Sequence, residues 1–317
     1  MTKYRKTILV LGARGLVGSA VMRSDLTDNY LLHGPSSMDL DLMDFHRTVH
    51  EIKIIAPDVI INAAARVGGI GANSTFGGEF IYRNLRMEIN IIEAARMCSV
   101  PKLIFLGSSC IYPRDCPQPI KEEHLLTGPL EPTNKPYAVA KIAGIEMCDA
   151  YRKQYGCDFV SLMPTNLYGS GDSYDLENSH VLPAMIRKFH EAKLADARSV
   201  TMWGSGMPMR EFLHVDDLAS AIAYVIRNNL SWEGPMNVGT GLDVSIGDLA
   251  RTVAHIIGYT GDIIWDVARP DGTPRKQLDV NKIRATGWSH SIHLEDGLTA
   301  LYGDLKNKPV KEWSIRK

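Results

Sequence analysis

The feature that most restricts the fold of this chain is a strand-like run that leads directly into a glycine loop. Thr7–Leu11 is apolar after its first residue, and Gly12-Ala13-Arg14-Gly15-Leu16-Val17-Gly18 follows it without a break. A helical pattern, Gly15–Arg23, overlaps the end of the loop. Glycine lets the backbone turn tightly and approach a diphosphate, and a helix N-terminus supplies amide donors and a positive dipole end. The sequence therefore predicts a dinucleotide site lined by every residue of this loop.

Short apolar runs alternate with helical patterns through the rest of the first half. The predicted strands are Thr7–Leu11, Tyr30–His33, Val59–Asn62, Lys102–Leu106 and Phe159–Met163, and the predicted helices are Gly15–Arg23, Asp44–Ile55, Phe80–Cys98 and Tyr137–Tyr155. Several of the runs are apolar at consecutive residues, which is typical of strands buried on both faces. Alternation of such strands with helices predicts an α/β fold, a Rossmann-type doubly wound parallel sheet.

The pattern becomes less regular after Pro164. A helix is predicted over Val181–Ala192, a hairpin-like stretch over Val200–Gly206 and a helix over Asp216–Asn228. This region predicts a smaller α+β C-terminal lobe that binds the substrate. We place the dinucleotide-binding domain at residues 1–168, with a returning segment at about 212–242, and the lobe at 169–211 and 243–317.

Composition and charge argue against several classes of protein. The chain has 35 Lys and Arg against 36 Asp and Glu, a formal net charge of -1, so it lacks the basic excess that binds nucleic acid. No apolar run approaches the roughly 20 residues that span a bilayer, and the polar start of the chain does not resemble a signal peptide. Its 5 cysteines are odd in number and lack a zinc spacing, which favours a reducing compartment. We expect a cytoplasmic protein that binds neither nucleic acid, membrane nor metal.

The end of the second predicted strand bears on which dinucleotide is bound. An NAD enzyme usually has an acidic residue there to bind the ribose hydroxyls, but His33-Gly34-Pro35-Ser36-Ser37 contains no carboxylate. Arg14 can instead bind a 2′-phosphate with the hydroxyls of Ser36 and Ser37, and Asp39 and Asp41 follow, where they are expected near the adenine. These residues predict NADP. The alternative is that Arg14 is only a solvated surface charge.

Tyr137 and Lys141 lie four residues apart, which places both side chains on one face of a helix. A free phenol has a pKa of about 10, and a nearby ammonium lowers that pKa and can also bind a ribose. The strand Lys102–Leu106 ends in Gly107-Ser108-Ser109, where a serine can donate to a carbonyl oxygen beside the tyrosine. The combination predicts proton transfer to a ketone bound by Ser108 and Tyr137. The alternatives are that Tyr137 and Lys141 are an ordinary pair on an amphipathic helix and that the serine only caps a turn. The second alternative applies better to Ser109.

In this order the motifs resemble the extended short-chain dehydrogenase/reductase family. The glycine loop, Asn62–Ala65 after a strand, the serine, the Tyr–Lys pair and Arg210–Asp217 carry the resemblance over nearly the whole chain. The family has a Rossmann-type domain with a smaller C-terminal lobe, and commonly acts on nucleotide sugars. Longer segments narrow the resemblance to the branch that epimerises C3 and C5 of GDP-4-keto-6-deoxy-D-mannose and reduces its C4 ketone with NADPH. These segments are Ser108–Pro113, Pro132–Tyr137, Pro164–Gly169, Asn178–His180 and Pro270–Lys276.

The resemblance implies catalytic roles for individual residues. It makes Cys110 the base and His180 the acid that exchange protons at C3 and C5, while Ser108, Tyr137 and Lys141 act at the C4 ketone. A thiol of pKa about 8.5 and an imidazole of pKa about 6.5 can both exchange protons near neutral pH. The ordinary alternatives are core packing for the cysteine and a structural role for the histidine.

The resemblance also implies two sets of binding residues. Beyond the glycine loop, NADP is expected to contact Ser36, Ser37, Asp41, Ala63, Ala64, Leu106, Gly107, Tyr137, Lys141, Pro164, Thr165, Asn166, Leu167 and His180. The GDP-sugar is expected to contact Ser109, Asn166, Lys188, Trp203, Arg210 and Asp271. Arg210 is the best cation for the diphosphate, because a guanidinium binds phosphate with two parallel hydrogen bonds. Trp203 can stack on guanine or, as the alternative, belong to the core.

Other functions of the same fold stay open at this stage. A 4,6-dehydratase usually has an acidic pair where this chain has Ser109-Cys110, and a 4-epimerase retains NAD. A catalytically silent NADP-binding regulator would have no need of the serine, tyrosine and lysine. The family also implies a homodimer, with Phe80–Cys98 and Tyr137–Tyr155 as its candidate faces.

Overall fold

The computed structural model describes residues 5–176, 179–269 and 271–314. Its strands are β1 (Lys6–Leu11), β2 (Tyr30–His33), β3 (Val59–Asn62), β4 (Lys102–Leu106), β5 (Asp158–Pro164), β6 (Asn166–Tyr168), β7 (Ser199–Trp203), β8 (Met209–His214), β9 (Pro235–Val238), β10 (Asp243–Ser245), β11 (Asp262–Asp266) and β12 (Arg275–Lys276). Its helices are α1 (Leu16–Arg23), α2 (Phe45–Ile55), α3 (Ile70–Thr75), α4 (Gly77–Met97), α5 (Lys135–Tyr155), α6 (Val181–Leu194), α7 (Val215–Arg227), α8 (Ile246–Ile257), α9 (Asn281–Ala285) and α10 (Leu294–Leu305). Within the described ranges, no helix is both long and apolar enough to cross a membrane.

The central sheet is parallel and has six strands in the order β2-β1-β3-β4-β5-β9. β3 and β4 are buried at every residue, as their continuous apolar runs predict for strands covered on both faces. The predicted α/β class is confirmed. The chain passes from β1 to β2 on one side of β1 and then returns to β3 on its other side. The direction of winding therefore reverses here, and the topological switch point lies between β1 and β3. Ligands of open α/β sheets bind beyond the carboxyl ends of the strands at such a point.

Helix α5 packs closely against β4 and thereby fixes its first turns beside the carboxyl end of that strand. Gly144 faces the ring of Phe105, and a Cβ at this position would lie 2.3 Å from the ring. Ala138 and Ala140 are also fully buried, so small residues line the side of the helix that approaches the sheet. Because this close packing prevents α5 from moving along the sheet, Tyr137 and Lys141 keep a fixed position relative to β4.

The buried apolar residues form two clusters. One surrounds the central sheet, and the other joins β7, α6, α8 and α10 through residues such as Phe189, Leu249 and Leu298. Leu278, Val280, Ile283 and Trp288 belong to the first cluster, although they lie within the residue range predicted for the C-terminal lobe. The predicted domain boundaries stay a prediction. The structure shows in addition that the segment from Leu278 to Trp288 packs against the core around the central sheet.

Val200–Gly206 is not a hairpin, so that prediction is wrong. β7 pairs in parallel with β11, with Val200 opposite Ile263. The glycines after Trp203 favoured a tight return of the chain, whereas the strand's hydrogen-bonding partner comes much later in the sequence. Burial alternates along β7, as expected for a strand with one face on helix α6 and the other exposed.

Glu211 on β8 joins three segments beneath the site. Its carboxylate accepts hydrogen bonds from the amides of Thr240 (2.6 Å), Gly241 (2.8 Å) and Leu278 (2.7 Å), and the side chain is fully buried. Burial raises the pKa of this carboxyl, and the amide hydrogen bonds oppose the rise. Glu211 therefore acts as a structural link between the β8 strand and the loops after β9 and β12.

We expect Glu211→Ala to lower the free energy of unfolding by about 3 kcal/mol or more, because each buried amide left without an acceptor costs about 1–3 kcal/mol. Urea denaturation followed by circular dichroism measures the change. Glu233→Ala is the matched control, since Glu233 forms an exposed ion pair with Lys153 and its loss should leave the free energy of unfolding nearly unchanged. Equal losses in the two variants would contradict the structural role of Glu211.

Candidate active site

The glycine loop lies at the switch point of the sheet. Gly12 has φ +81°, and a Cβ there would lie 2.7 Å from the backbone of Ala63 and Ala64, so the loop contacts the segment after β3 directly. Helix α1 begins immediately after Gly15, whose amide donates to the Gly12 carbonyl at 2.9 Å. In the described chain, no side chain caps α1 and its first turn holds no acidic residue. Its first amides therefore suit an anion, and the loop fits the diphosphate of a dinucleotide.

The end of β2 differs in detail from the sequence prediction. Ser36 is buried, and its hydroxyl donates to the Asp39 carboxylate at 2.6 Å while its amide donates to the same oxygen at 3.0 Å. These two hydrogen bonds lower the pKa of Asp39, and the charge of Arg14 lowers it further. Ser37 is exposed. A carboxylate thus interacts with Arg14 although β2 itself ends without one, and the hydroxyl of Ser36 already has a partner.

Tyr137, Ser108 and Cys110 are brought together where α5 meets the end of β4. The amide of Cys110 donates to the Ser108 hydroxyl at 3.2 Å, and a hydrogen bond with Ser108 lowers the pKa of Tyr137. Burial has the larger effect and raises that pKa, and the neighbouring Cys110 and Glu88 raise it further. The phenol is therefore protonated at neutral pH, which is the state that a proton donor requires.

Lys141 has a partner that the sequence did not reveal. Its ammonium donates to the Leu106 carbonyl at 2.9 Å and lies 3.0 Å from a carboxylate oxygen of Glu88 on α4. Both side chains are 2% exposed. The ammonium also lies 5.9 Å from the centre of the Tyr137 ring. The predicted Tyr–Lys pair is thus part of a buried group of three residues, in which a carboxylate balances the charge of the lysine.

A recess lies beside Cys110 and is lined by Glu131, Asn134 and Lys276 among others. The thiol is half-buried, and the Lys276 ammonium donates to its sulfur at 3.4 Å. A cysteine that only fills the core would have neither this exposure nor a cationic hydrogen-bond donor beside its sulfur. Cys110 is therefore not an ordinary core cysteine. Ser109, expected to contact the substrate, is buried, so little of its surface is open to a ligand.

The residues expected to bind the nucleotide lie around the end of β7. Trp203 is 61% exposed, which excludes the core alternative, and the Arg269 guanidinium lies 4.8 Å from the centre of its ring. The Lys188 ammonium lies 5.7 Å from the same ring, and burial lowers the pKa of Lys188. A weakly hydrated ammonium next to an exposed aromatic ring suits a base and its phosphates.

Arg210 and Asp271 lie next to each other in this region. Burial lowers the pKa of Arg210, while the charges of Cys110 and Asp271 raise it. Asp271 accepts from the amide (2.9 Å) and the hydroxyl (2.6 Å) of Ser205, which lowers its pKa. The guanidinium thus interacts both with the thiol and with an acid of the nucleotide region, between the two parts of the site.

The remaining predicted residues lie on adjacent elements. Leu106 and Pro164 end β4 and β5, Asn166 and Leu167 begin β6, and His180 directly precedes α6 with an exposed side chain. Asn166 donates to the Glu211 carbonyl at 2.8 Å. Asn178, part of one motif that carried the resemblance, and Pro270, part of another, lie outside the described residues. The described residues contain no group of three or more His, Cys, Asp or Glu arranged to hold a metal ion.

Sequence reasoning missed Glu88 and Lys276. Glu88 is an acidic residue in a helical pattern, where a solvated position is the ordinary expectation, so its burial had no signal in the sequence. Lys276 lay in Pro270–Lys276, a segment already singled out, but its approach to Cys110 depends on β12 pairing with β8. Only that pairing brings the end of the segment to the thiol.

A dinucleotide loop at the switch point, with a tyrosine, lysine and serine beyond the next strands, defines a dinucleotide-dependent enzyme that acts on a carbonyl group. The chain matches the NAD dependent epimerase/dehydratase family over residues 8–239. The chain belongs to that family.

Named relatives are similar over almost the whole chain. The chain is 51% identical to putative GDP-L-fucose synthase 2 of Arabidopsis thaliana over 310 residues, covering 95% of this chain and 92% of that protein. It is 48% identical to GDP-L-fucose synthase of Escherichia coli (strain K12), covering 95% and 96%. The crystal structure of a GDP-L-fucose synthetase from Naegleria fowleri bound to NADP has a TM-score of 0.88 at 27% identity, covering 100% of this chain and 98% of that one.

Proposed function

We propose that this chain is a GDP-L-fucose synthase, which epimerises C3 and C5 of GDP-4-keto-6-deoxy-D-mannose and reduces the C4 ketone with NADPH. The observation that carries the proposal is the position of Cys110. Its half-buried thiol directly follows the Ser108 region of the ketone site and receives a hydrogen bond from Lys276. A ketone reductase without epimerase activity has no use for such a base. The similarity to GDP-L-fucose synthases over most of the chain supports the same assignment.

Epimerisation uses the acidity that the ketone gives to its neighbouring carbons. Removal of a proton from C3 or C5 leaves an enolate whose charge lies on the C4 oxygen, where Ser108 and Tyr137 donate hydrogen bonds. Cys110 takes the proton as the base of this step, and the Lys276 ammonium donates a hydrogen bond to its sulfur. His180, in its proposed role, returns a proton to the opposite face of the carbon, which inverts it.

Reduction then needs a proton for the C4 oxygen. NADPH, when bound along the glycine loop, supplies the hydride that C4 receives. Tyr137 gives its proton to the oxygen, and Lys141, held by Leu106 and Glu88, stabilises the phenolate that remains. The protonated state of Tyr137 that burial favours is suited to this direction of transfer.

The nucleotide is proposed to lie on the C-terminal lobe. Arg210 would bind the diphosphate with two parallel hydrogen bonds, and Lys188 would add a second positive charge. Trp203 would stack on the guanine with one face of its ring. Arg269 would then either move away from the Trp203 ring or remain on the opposite face. Asp271 would accept a hydrogen bond from the ribose or the base of the bound nucleotide.

We expect Arg14→Met to lower kcat/KM with NADPH by roughly 10-fold to 100-fold while changing that with NADH little, because hydrogen bonds to charged groups are worth about 1.5–3 kcal/mol. Steady-state kinetics with both cofactors measure the change. Arg23→Met is the control, since Arg23 lies at the far end of α1 and pairs with Asp216 in solvent. A wild-type enzyme that prefers NADH would refute the assignment of NADP.

The decisive test of the function is to incubate the purified chain with GDP-4-keto-6-deoxy-D-mannose and NADPH. We expect NADPH oxidation and a product that chromatography and NMR identify as GDP-L-fucose. A 6-deoxy sugar with unchanged C3 or C5, or the absence of oxidation, would exclude the proposed function. The same assay separates it from a 4-epimerase, a 4,6-dehydratase and a catalytically silent regulator.

We also propose that the enzyme is a homodimer in the cytoplasm. Tyr82 and Ile89 on α4, with Val139 and Tyr155 on α5, are large exposed apolar side chains on the two helices expected at the interface. The 5 cysteines are all unpaired, which suits a reducing compartment. Size-exclusion chromatography with light scattering would give twice the chain mass if this proposal is right and the single mass if it is wrong.

A further inference from the structure

Glu88 lies beside the catalytic pair and is not among the residues that line the recess at Cys110. It is on α4, is 1% exposed, and is the acid nearest to the Lys141 ammonium, at 3.0 Å. Apart from this ion pair, neither of its carboxylate oxygens has a hydrogen-bond partner among the described residues. Burial raises the pKa of Glu88, and the charge and hydrogen bond of Lys141 oppose the rise, so the negative charge of this carboxylate depends on the lysine beside it.

The lysine is held from two directions. The Leu106 carbonyl ends the strand that leads to Ser108, and Glu88 is on the helix packed beside α5. Together they fix the Lys141 ammonium at one point near the Tyr137 ring. An ammonium has three donors, so these two acceptors leave one donor for a ribose hydroxyl.

We propose that Glu88 is a positioning residue of the reduction step: its carboxylate fixes the Lys141 ammonium, and its negative charge favours the neutral phenol of Tyr137, the form that donates the proton. This inference rests on the proposed function, because it concerns the proton delivered to the C4 oxygen. A reductase needs the neutral phenol before each hydride transfer. A lysine without a counter-charge would instead favour the phenolate.

The electrostatic surroundings of Glu88 determine the sign of the expected effect. Among the described residues, the titratable groups that interact with it are Lys141, Tyr137 and Cys148, all on α5, and Cys110 acts in turn on Tyr137. Replacing the carboxylate by an amide makes the surroundings of Tyr137 and Lys141 more positive by one charge. The phenol of Tyr137 then loses its proton at lower pH, because the negative charge that favoured its neutral form is gone.

The test is the pH profile of Glu88→Gln. With GDP-4-keto-6-deoxy-D-mannose and NADPH, kcat for NADPH oxidation is measured between about pH 6 and pH 10. We expect the alkaline limb of the profile to move down by about one pH unit or more, with lowered kcat at pH values above it. Glu93→Gln is the matched control: Glu93 is also on α4 but binds Arg96 and Tyr151, and its profile should keep the wild-type limb.

A folded Glu88→Gln enzyme with a wild-type alkaline limb overturns the proposal, even if its kcat is lower, because a purely structural role would lower kcat at every pH alike. A wild-type enzyme that oxidises no NADPH with this substrate refutes the proposed function instead. If Glu88→Gln does not fold, Glu88→Asp decides. It keeps the charge but withdraws the carboxylate by one methylene, so the alkaline limb is expected to move down by less than about one pH unit, and a limb at the wild-type pH overturns the proposal.

Discussion

Cys110→Ser is expected to abolish exchange of solvent deuterium into C3 and C5 of the substrate, with a loss of at least about 100-fold in the rate of GDP-L-fucose formation. A serine hydroxyl is far less acidic than a thiol, so Lys276 can bind its oxygen but cannot make it a base near neutral pH. Removal of a general base costs roughly 100-fold to 10,000-fold. Mass spectrometry of the sugar recovered from deuterium oxide measures the exchange.

Cys157→Ser is the matched control for this prediction. Cys157 is also a half-buried free thiol, but it precedes β5 and so lies at the amino edge of the sheet, opposite the site. The control should exchange deuterium at the wild-type rate. Binding of NADPH, followed by protein fluorescence, should be unchanged in both variants, because neither Cys110 nor Cys157 is among the residues expected to contact the cofactor. Wild-type exchange in folded Cys110→Ser would remove the cysteine from the mechanism.

The part of the fold that sequence predicted well is the part held by local pattern. β3 and β4 have the predicted bounds, because strands buried on both faces are continuous apolar runs between turns. β2, at the edge of the sheet and partly exposed, also has the predicted bounds. The C-terminal strands were missed for the opposite reason. β12 is only Arg275–Lys276, polar and partly exposed, and it is a strand solely because β8 is there to pair with it. No periodicity within a segment of that length can reveal such a pairing.

The site divides in the same way. The glycine loop and the Tyr137–Lys141 spacing follow from neighbours in the chain, so both were visible in the sequence. The contacts of Lys141 with Glu88 and of Cys110 with Lys276 join residues that are distant in the chain. Such contacts depend on how α4 packs on α5 and how β12 pairs with β8. The expected lowering of the Tyr137 pKa by Lys141 also depended on an uncompensated ammonium, whereas Glu88 compensates it and burial raises that pKa.

Tyr137→Phe separates the two halves of the chemistry. We expect kcat for NADPH oxidation to fall by at least about 1,000-fold, because the variant loses the proton donor for the C4 oxygen. Deuterium exchange at C3 and C5 should fall much less, since the enolate oxygen keeps the hydrogen bond from Ser108 and Cys110 is unchanged. Parallel measurement of NADPH absorbance and of deuterium content in the sugar gives both rates for one preparation.

Tyr151→Phe controls for loss of a hydroxyl from the same helix. Tyr151 is also on α5, but its hydroxyl donates to Glu93 at 2.7 Å, away from the ketone site, so both rates should stay within about twofold of wild type. Equal losses of oxidation and exchange in Tyr137→Phe would mean that the phenol serves mainly the enolate. Wild-type NADPH oxidation in that variant would mean that another group delivers the proton. A selective loss of oxidation would mean that Tyr137 delivers the final proton. The buried Glu88–Lys141 pair would then act on the reaction through the protonation state of that phenol.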